Sequence, residues 1–154
     1  MEYGTIERSM YIEATPDVVY EVVSSPEHIK EWFPDDAVLD AAPGGVGEFV
    51  WGDRSSPDVY IVPLTVVDAS PPRLFSFRWG HPADEVAVPA NSLLVEFEMV
   101  PSGTGTTLRM TESGFRERGW EIATLEHHYN DHIDGWDKHL PDLVAYVGKL
   151  VASK

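Results

Sequence analysis

"HHYNDHIDGWDKHLPDL", residues 127–143, decides how this chain is read. It holds four of the six histidines and interleaves them with four aspartates, a density that suggests a metal centre or a catalytic cluster. Helical geometry sorts the residues differently. At about 100° per residue, Tyr129, Ile133, Trp136, Leu140, Leu143, Val147 and Leu150 fall within an arc of about 100°. Their steps of four and three are those of an amphipathic helix buried along one stripe. His128, His132, Gly135 and His139 share one shoulder of that stripe. His127 points nearly opposite, and Asp131 and Asp134 take its outer side. Pro141 removes one backbone bond and crowds the preceding turn, so a kink or a restart is expected there.

Upstream of this helix the pattern is strand and turn. "TIERSMYIEA" alternates, with Ile6, Met10 and Ile12 on one side and Arg8 in phase with them. "TPDVVYEVVSSP" reads as a short helix with Thr15 as N-cap, Pro16 at the first helical position and Asp17 at the positive dipole end. Its apolar stripe is Val18, Val19, Val22 and Val23. Pro26 opens a second short helix, which Pro34 closes. From about Ala37 to Ser113 every signal is β: "DVYIVPLTVVDASPPRLFSFRWG" is two strands around a diproline turn, and "NSLLVEFEMVPSGTGTTLRMTESG" is a hairpin. Pro63, inside the first of these runs, calls for an edge position or a bulge. Strands in meander order make an antiparallel sheet, and one long terminal helix covers its inner face. Such a pairing commonly encloses a cavity.

Composition sets outer bounds. Eleven basic against 26 acidic residues give a net charge of −15, unsuited to nucleic acid or to an anionic membrane surface. With no cysteine, disulfides and thiolate chemistry are excluded. "MEYGTIERSM" lacks the basic and apolar regions of a signal peptide, and no apolar run reaches the roughly 20 residues of a membrane helix. A cytoplasmic protein is expected. No linker, repeat or low-complexity tract interrupts residues 1–154, which read as one domain.

"TPDVVYEVVSSPEHIKEWFP", "VVDASPPRLFSFRWG", "TTLRMTESGF" and "DGWDKHLPDLVAYV", in that order and spacing, resemble the START-like, or SRPBCC, superfamily. Within it they are most similar to the branch related to the C-terminal domain of the Hsp90 ATPase activator. The resemblance runs from about Ile6 to Leu150. It implies an α+β helix-grip fold: a curved antiparallel sheet of about seven strands, two short helices after the first strand and a long C-terminal helix. It also implies a hydrophobic tunnel between helix and sheet. On the functional side it implies carriers, cyclases and co-chaperone domains alike, because one scaffold hosts many activities. The separate N-terminal domain of the eukaryotic co-chaperone has no counterpart in these residues, so an Hsp90-type partner is the least expected of the three. A small hydrophobic molecule is the expected partner, and a homodimer is compatible with the reading.

Candidate site residues follow from phase. Glu112 shares a face with Leu108 and Met110, and a carboxylate there must be paired, hydrogen-bonded or protonated. Arg8 is its expected partner if the first and last strands adjoin, as they do in the superfamily. A structural ion pair or cap is the more ordinary role; as a functional one, Glu112 and His132 are the polar anchors of an apolar pocket. The pocket's expected wall is aromatic: Trp32, Phe33, Phe49, Trp51, Phe75, Phe77, Trp79 and Phe97 from the sheet side. Met110 joins them there, and Tyr129, Ile133 and Trp136 come from the helix. Core packing is the competing role, above all for Phe77, Phe97 and Trp136. Trp51 and Trp79, each beside a glycine at a strand end, are expected at the mouth, and "GHPADEVAVPAN" as the lid. His128 and His132 are spaced to share a cation, yet "HHYNDH" lacks the metalloprotease glutamate, so no metal and no cofactor is expected. No dinucleotide loop, P-loop lysine or G-x-S-x-G elbow is present, so no residue is assigned as catalytic.

Overall fold

The computed structural model describes residues 4–152; residues 1–3, part of the leader reading above, and 153–154 lie outside it. The chain runs β1 (Thr5–Ile12), α1 (Pro16–Ser24), α2 (Pro26–Ile29), β2 (Asp36–Leu39), β3 (Val46–Trp51), β4 (Tyr60–Ser70), β5 (Leu74–Trp79), β6 (Leu93–Ser102), β7 (Gly105–Ser113) and α3 (Ile122–Ala152). All strand pairs are antiparallel, in the order β1-β7-β6-β5-β4-β3-β2. This is the α+β helix-grip arrangement that the family resemblance implies.

Period-two burial fixes which face looks inward. In β6 and β7, Leu93, Val95, Phe97 and Met99 lie beside Leu108, Met110 and Glu112, all buried. The opposite face carries cross-strand charge, such as Glu98 against Arg109. A one-residue slip would turn this entire set to solvent, so the register is strongly specified. In β4 the register shifts between Val66 and Asp68, a bulge of the kind that bends a strand.

Pro63 lies in β4, an interior strand rather than an edge, and the bulge falls three residues further on. Its position is nonetheless a local edge. Gly80 N donates to the Pro63 carbonyl, and a residue's N–H and C=O point to the same side of a strand. The missing donor of Pro63 therefore faces the place where β5 ends, and what is forgone is only the reciprocal bond to Gly80 at the end of the ladder.

The helices close the inner face. Val19, Val22 and Val23 of α1 are buried, and the indole N–H of Trp32 donates to the Val22 carbonyl at 3.0 Å. Thr15 holds the extended backbone of an N-cap, but its hydroxyl makes no cap bond. α3 neither stops nor restarts at Pro141: it is one helix of 31 residues. The lost bond costs only the Asp137 carbonyl its helical donor, while Leu140, Leu143 and Val147 keep the helix seated. No helix among the described residues is long and apolar enough to cross a membrane.

Candidate functional site

The stripe on α3 is not uniformly covered. Leu140, Leu143 and Val147 are sealed, whereas Tyr129 and Ile133, two turns earlier, are only half-buried. On the adjoining shoulder, from His128 to His139, the helix spans a gap rather than a floor. A cavity of about 520 Å³ opens between α3 and the ends of β3 to β6. The helix contributes His128, Asp131, His132, Gly135, Trp136 and His139, a face repeating every three and four residues. The sheet contributes Trp51, Tyr60, Val62, Trp79, Gly80 and Leu93; Phe33 comes from the turn after α2, and Arg118 and Trp120 from the segment before α3.

Phe33 organises the aromatic wall. It stacks between Trp32 and Trp136, with ring centroids at 5.1 and 5.2 Å, and meets Phe49, Trp51 and His139 edge to face. Offset stacks and edge-to-face contacts are the arrangements that the ring quadrupole favours.

Behind this wall lies one polar centre. The Glu112 side chain is fully buried. Its carboxylate accepts the indole N–H of Trp79 at 2.8 Å and that of Trp136 at 2.8 Å. His132 Nδ1 donates to the same group, 2.8 and 2.9 Å from its two oxygens. Three donors from β5 and α3 converge on one anion, which satisfies a charge that burial alone would not tolerate. Burial works against a charged His132, but the hydrogen bond and charge of Glu112 outweigh it, and its pKa is raised above the ordinary imidazole value. With Nδ1 committed to Glu112, Nε2 is the nitrogen left for the cavity.

Arg8 is not the partner of Glu112. It lies opposite Met110 in the β1–β7 register, and its guanidinium reaches out to Asp137 on α3 at 2.8 Å. Ile6 is the β1 residue beside Glu112. Phase placed Arg8 on the inner face correctly, but a long side chain near a sheet edge escapes to the rim, where its charge stays solvated.

The mouth of the cavity has a different character. Arg118 lies over the ring of Trp120 at 4.5 Å, and Trp120 stacks on His128 with centroids at 4.2 Å. Burial, helped by neighbouring positive charge, lowers the pKa of His128. Burial also lowers that of His139, whose Nδ1 donates to the Trp32 carbonyl at 3.3 Å. Both imidazoles are therefore neutral at pH 7. Asp131 is exposed at the rim, as are His127 and Asp134 on the outer side of the helix. Among the described residues no three histidine, aspartate or glutamate side chains gather closely enough to hold a metal ion.

Of the residues expected to line a pocket, Phe33, Trp51, Trp79, His132 and Trp136 face the cavity. Trp32, Phe49, Phe75, Phe77, Phe97 and Met110 are core instead, each almost fully buried. Tyr129 packs edge-on against Phe115 and donates its hydroxyl to the Thr5 carbonyl, and Ile133 joins the core margin. Glu112 stands behind the wall and orients three of its groups. The expected lid is not over the opening. Of "GHPADEVAVPAN" only Gly80 touches the cavity. The rest is tied to itself, with Asn91 bonding Val88 and Val86, and His81 buried against Thr65. Arg118 and Trp120 take the mouth in its place. Their signal was a tryptophan and an arginine crowded into "FRERGWE" just ahead of the helix, a spacing that carries no periodicity.

A sheet of this order gripping one long helix over an aromatic cavity is the helix-grip architecture of the SRPBCC type. The chain belongs to the family described as Activator of Hsp90 ATPase homolog 1-like protein, whose model matches residues 13–148. Its fold is similar to the crystal structure of protein MLL2253 from Mesorhizobium loti, with a TM-score of 0.74 at 21% identity, covering 94% of this chain and 97% of that one. Protein NE0264 from Nitrosomonas europaea superposes with a TM-score of 0.75 at 15% identity, covering 99% of both chains. CalU16 from Micromonospora echinospora gives 0.64 at 18% identity, covering 99% of this chain and 83% of that one. At these identities the likeness is one of fold. No curated protein sequence matches the chain.

Proposed function

We propose that this domain binds a small, largely apolar molecule in the cavity between sheet and helix. The observation that carries the reading is Gly135. Glycine in a helix interior costs about 1 kcal/mol relative to alanine. Here no tight packing compensates, because a Cβ at Gly135 would meet nothing within 4 Å. What the missing side chain provides is room in the cavity wall. Gly148, on the same helix, also has open space around it but lies off the cavity, so it is position and not glycine alone that argues for a guest. The volume of about 520 Å³ falls within the roughly 300–1,000 Å³ of small-molecule sites. Its wall also has their chemistry, aromatic rings with a few placed polar groups.

Two measurements test this. Non-denaturing mass spectrometry of the purified protein should reveal a co-purifying mass that denaturation releases. Nile red, a neutral apolar dye, should bind with one-to-one stoichiometry and be displaced by whatever that mass proves to be. A protein that carries nothing and leaves the dye in water refutes the reading.

One observation favours a second reading, a cyclase-like enzyme that moves protons on its guest. A histidine held through Nδ1 by a buried carboxylate, with Nε2 toward a cavity, is the arrangement of an oriented general base. Turnover of a candidate polyketide that is lost in His132→Gln, with dye binding retained, would establish it.

A further inference from the structure

Arg118 differs from the other arginines that the structure places in ion pairs. Arg8, Arg54 and Arg109 each meet a carboxylate, as expected in a chain with 26 acidic residues and 11 basic ones. Arg118 meets none among the described residues, although Asp131 lines the same cavity. Its Nε is buried and donates to nothing among those residues. Removing part of a guanidinium from water without an anion is unfavourable, and burial accordingly pushes its pKa down. Packing on Trp120 does not supply the missing acceptor. The ring covers the face of the guanidinium, whereas all five N–H donors lie in its plane. The stack therefore fixes the guanidinium at the cavity wall, where its terminal Nη groups rather than the sealed Nε are the donors that a guest can meet. Across from it is Gly80, where an added Cβ would lie 3.8 Å from Nη1.

We infer that the guest is an apolar carboxylic acid, its carboxylate received by Arg118 at the mouth and its body lying against Phe33, Trp51 and Trp136. This deepens the ligand-binding reading and rests on it. The charge count favours a single negative charge. Burial disfavours charge on His128 and His139, His132 is paired with Glu112, and Asp131 at the rim disfavours a second negative charge. One guanidinium and one carboxylate also match as a two-bond fork.

Three probes of one shape separate the possibilities: naphthoic acid, its neutral amide, and naphthyl phosphate, each titrated by tryptophan quenching and by calorimetry. Wild type should prefer the acid over the amide roughly ten- to hundredfold, the range of a hydrogen bond to a charged group. Arg118→Met should abolish that preference, with acid and amide bound alike, and its circular dichroism and thermal melt should show that the variant is folded. Arg118→Lys should restore part of it. Equal binding of acid and amide by wild type, or a preference that survives in Arg118→Met, overturns the anchor and leaves the cavity reading standing. Tighter binding of the phosphate overturns the carboxylate assignment. If neither acid nor amide binds, both readings fall.

Discussion

Alanine and phenylalanine at position 135 act in opposite directions on stability and binding. Gly135 lies inside α3 and lines the cavity, and a methyl group added there would meet no atom within 4 Å. Alanine therefore enters the helix without a clash and removes the conformational freedom that glycine gives the unfolded chain. The gain is about 0.8–1 kcal/mol. For a domain of this size that raises Tm by about 2–4 °C. Phenylalanine projects its ring into the same space. If it denies a guest about 60 Å² of apolar wall, at about 25 cal/mol per Å², binding weakens by about 1.5 kcal/mol, or tenfold. Thermal melts followed by circular dichroism and Nile red titration read both effects. Gly148→Ala is the control, expected to raise Tm without changing dye affinity. A lower Tm for Gly135→Ala would mean that the glycine serves packing after all. Undiminished dye binding by Gly135→Phe would place the guest elsewhere.

Other perturbations bear on the polar centre and the rim. Glu112→Gln presents an amide N–H₂ where a carboxylate oxygen accepted an indole N–H, so a buried donor is left unpaired; urea unfolding should show a loss of roughly 2–4 kcal/mol. In the wild type, NMR titration should find His132 above the ordinary value near 6.5. In Glu112→Gln it should fall below that value, since burial, the largest influence, is then opposed only by the charge of Asp131. Because its folded pKa is raised, protonated His132 adds stability that is complete below about pH 6.5 and fades as pH rises through the folded value, a dependence that reverses sign in Glu112→Gln, where acidification should instead cost stability. Arg8 and Asp137 are substantially exposed, so a double-mutant cycle with Arg8→Met and Asp137→Asn should return a coupling of about 1 kcal/mol or less, weaker in high salt.

Periodicity carried most of the fold. Alternation in β1, β6 and β7 and the four-three steps of α3 are consequences of one-sided burial, so they are written directly into residue order. Glu112 was legible for the same reason: it continues the phase of Leu108 and Met110 into a face where no carboxylate sits unsupported. Its partners were not legible, because the two indoles and the imidazole come from elements 20 to 33 residues away along the chain. The cavity divided the aromatics in a way that phase cannot. Phe77 and Trp79 share a face of β5, yet the first is core and the second is wall, since only distance along the strand decides which lies under the gap. Arg118 and Trp120 sit in irregular backbone, where spacing imposes no geometry at all.

The bonds that Trp136 and His132 of the helix make to Glu112 of the sheet also constrain how a guest of the kind proposed would get in and out. Hinging the helix away from the strands would have to break the two charge-assisted bonds of His132 and Trp136 together, each contributing about 1.5–3 kcal/mol, so fewer than about one molecule in a hundred would be open that way at any moment. Such a guest would pass at the far end, between the exposed ring of Tyr60 and the half-buried one of Trp120, while the helix stays clamped.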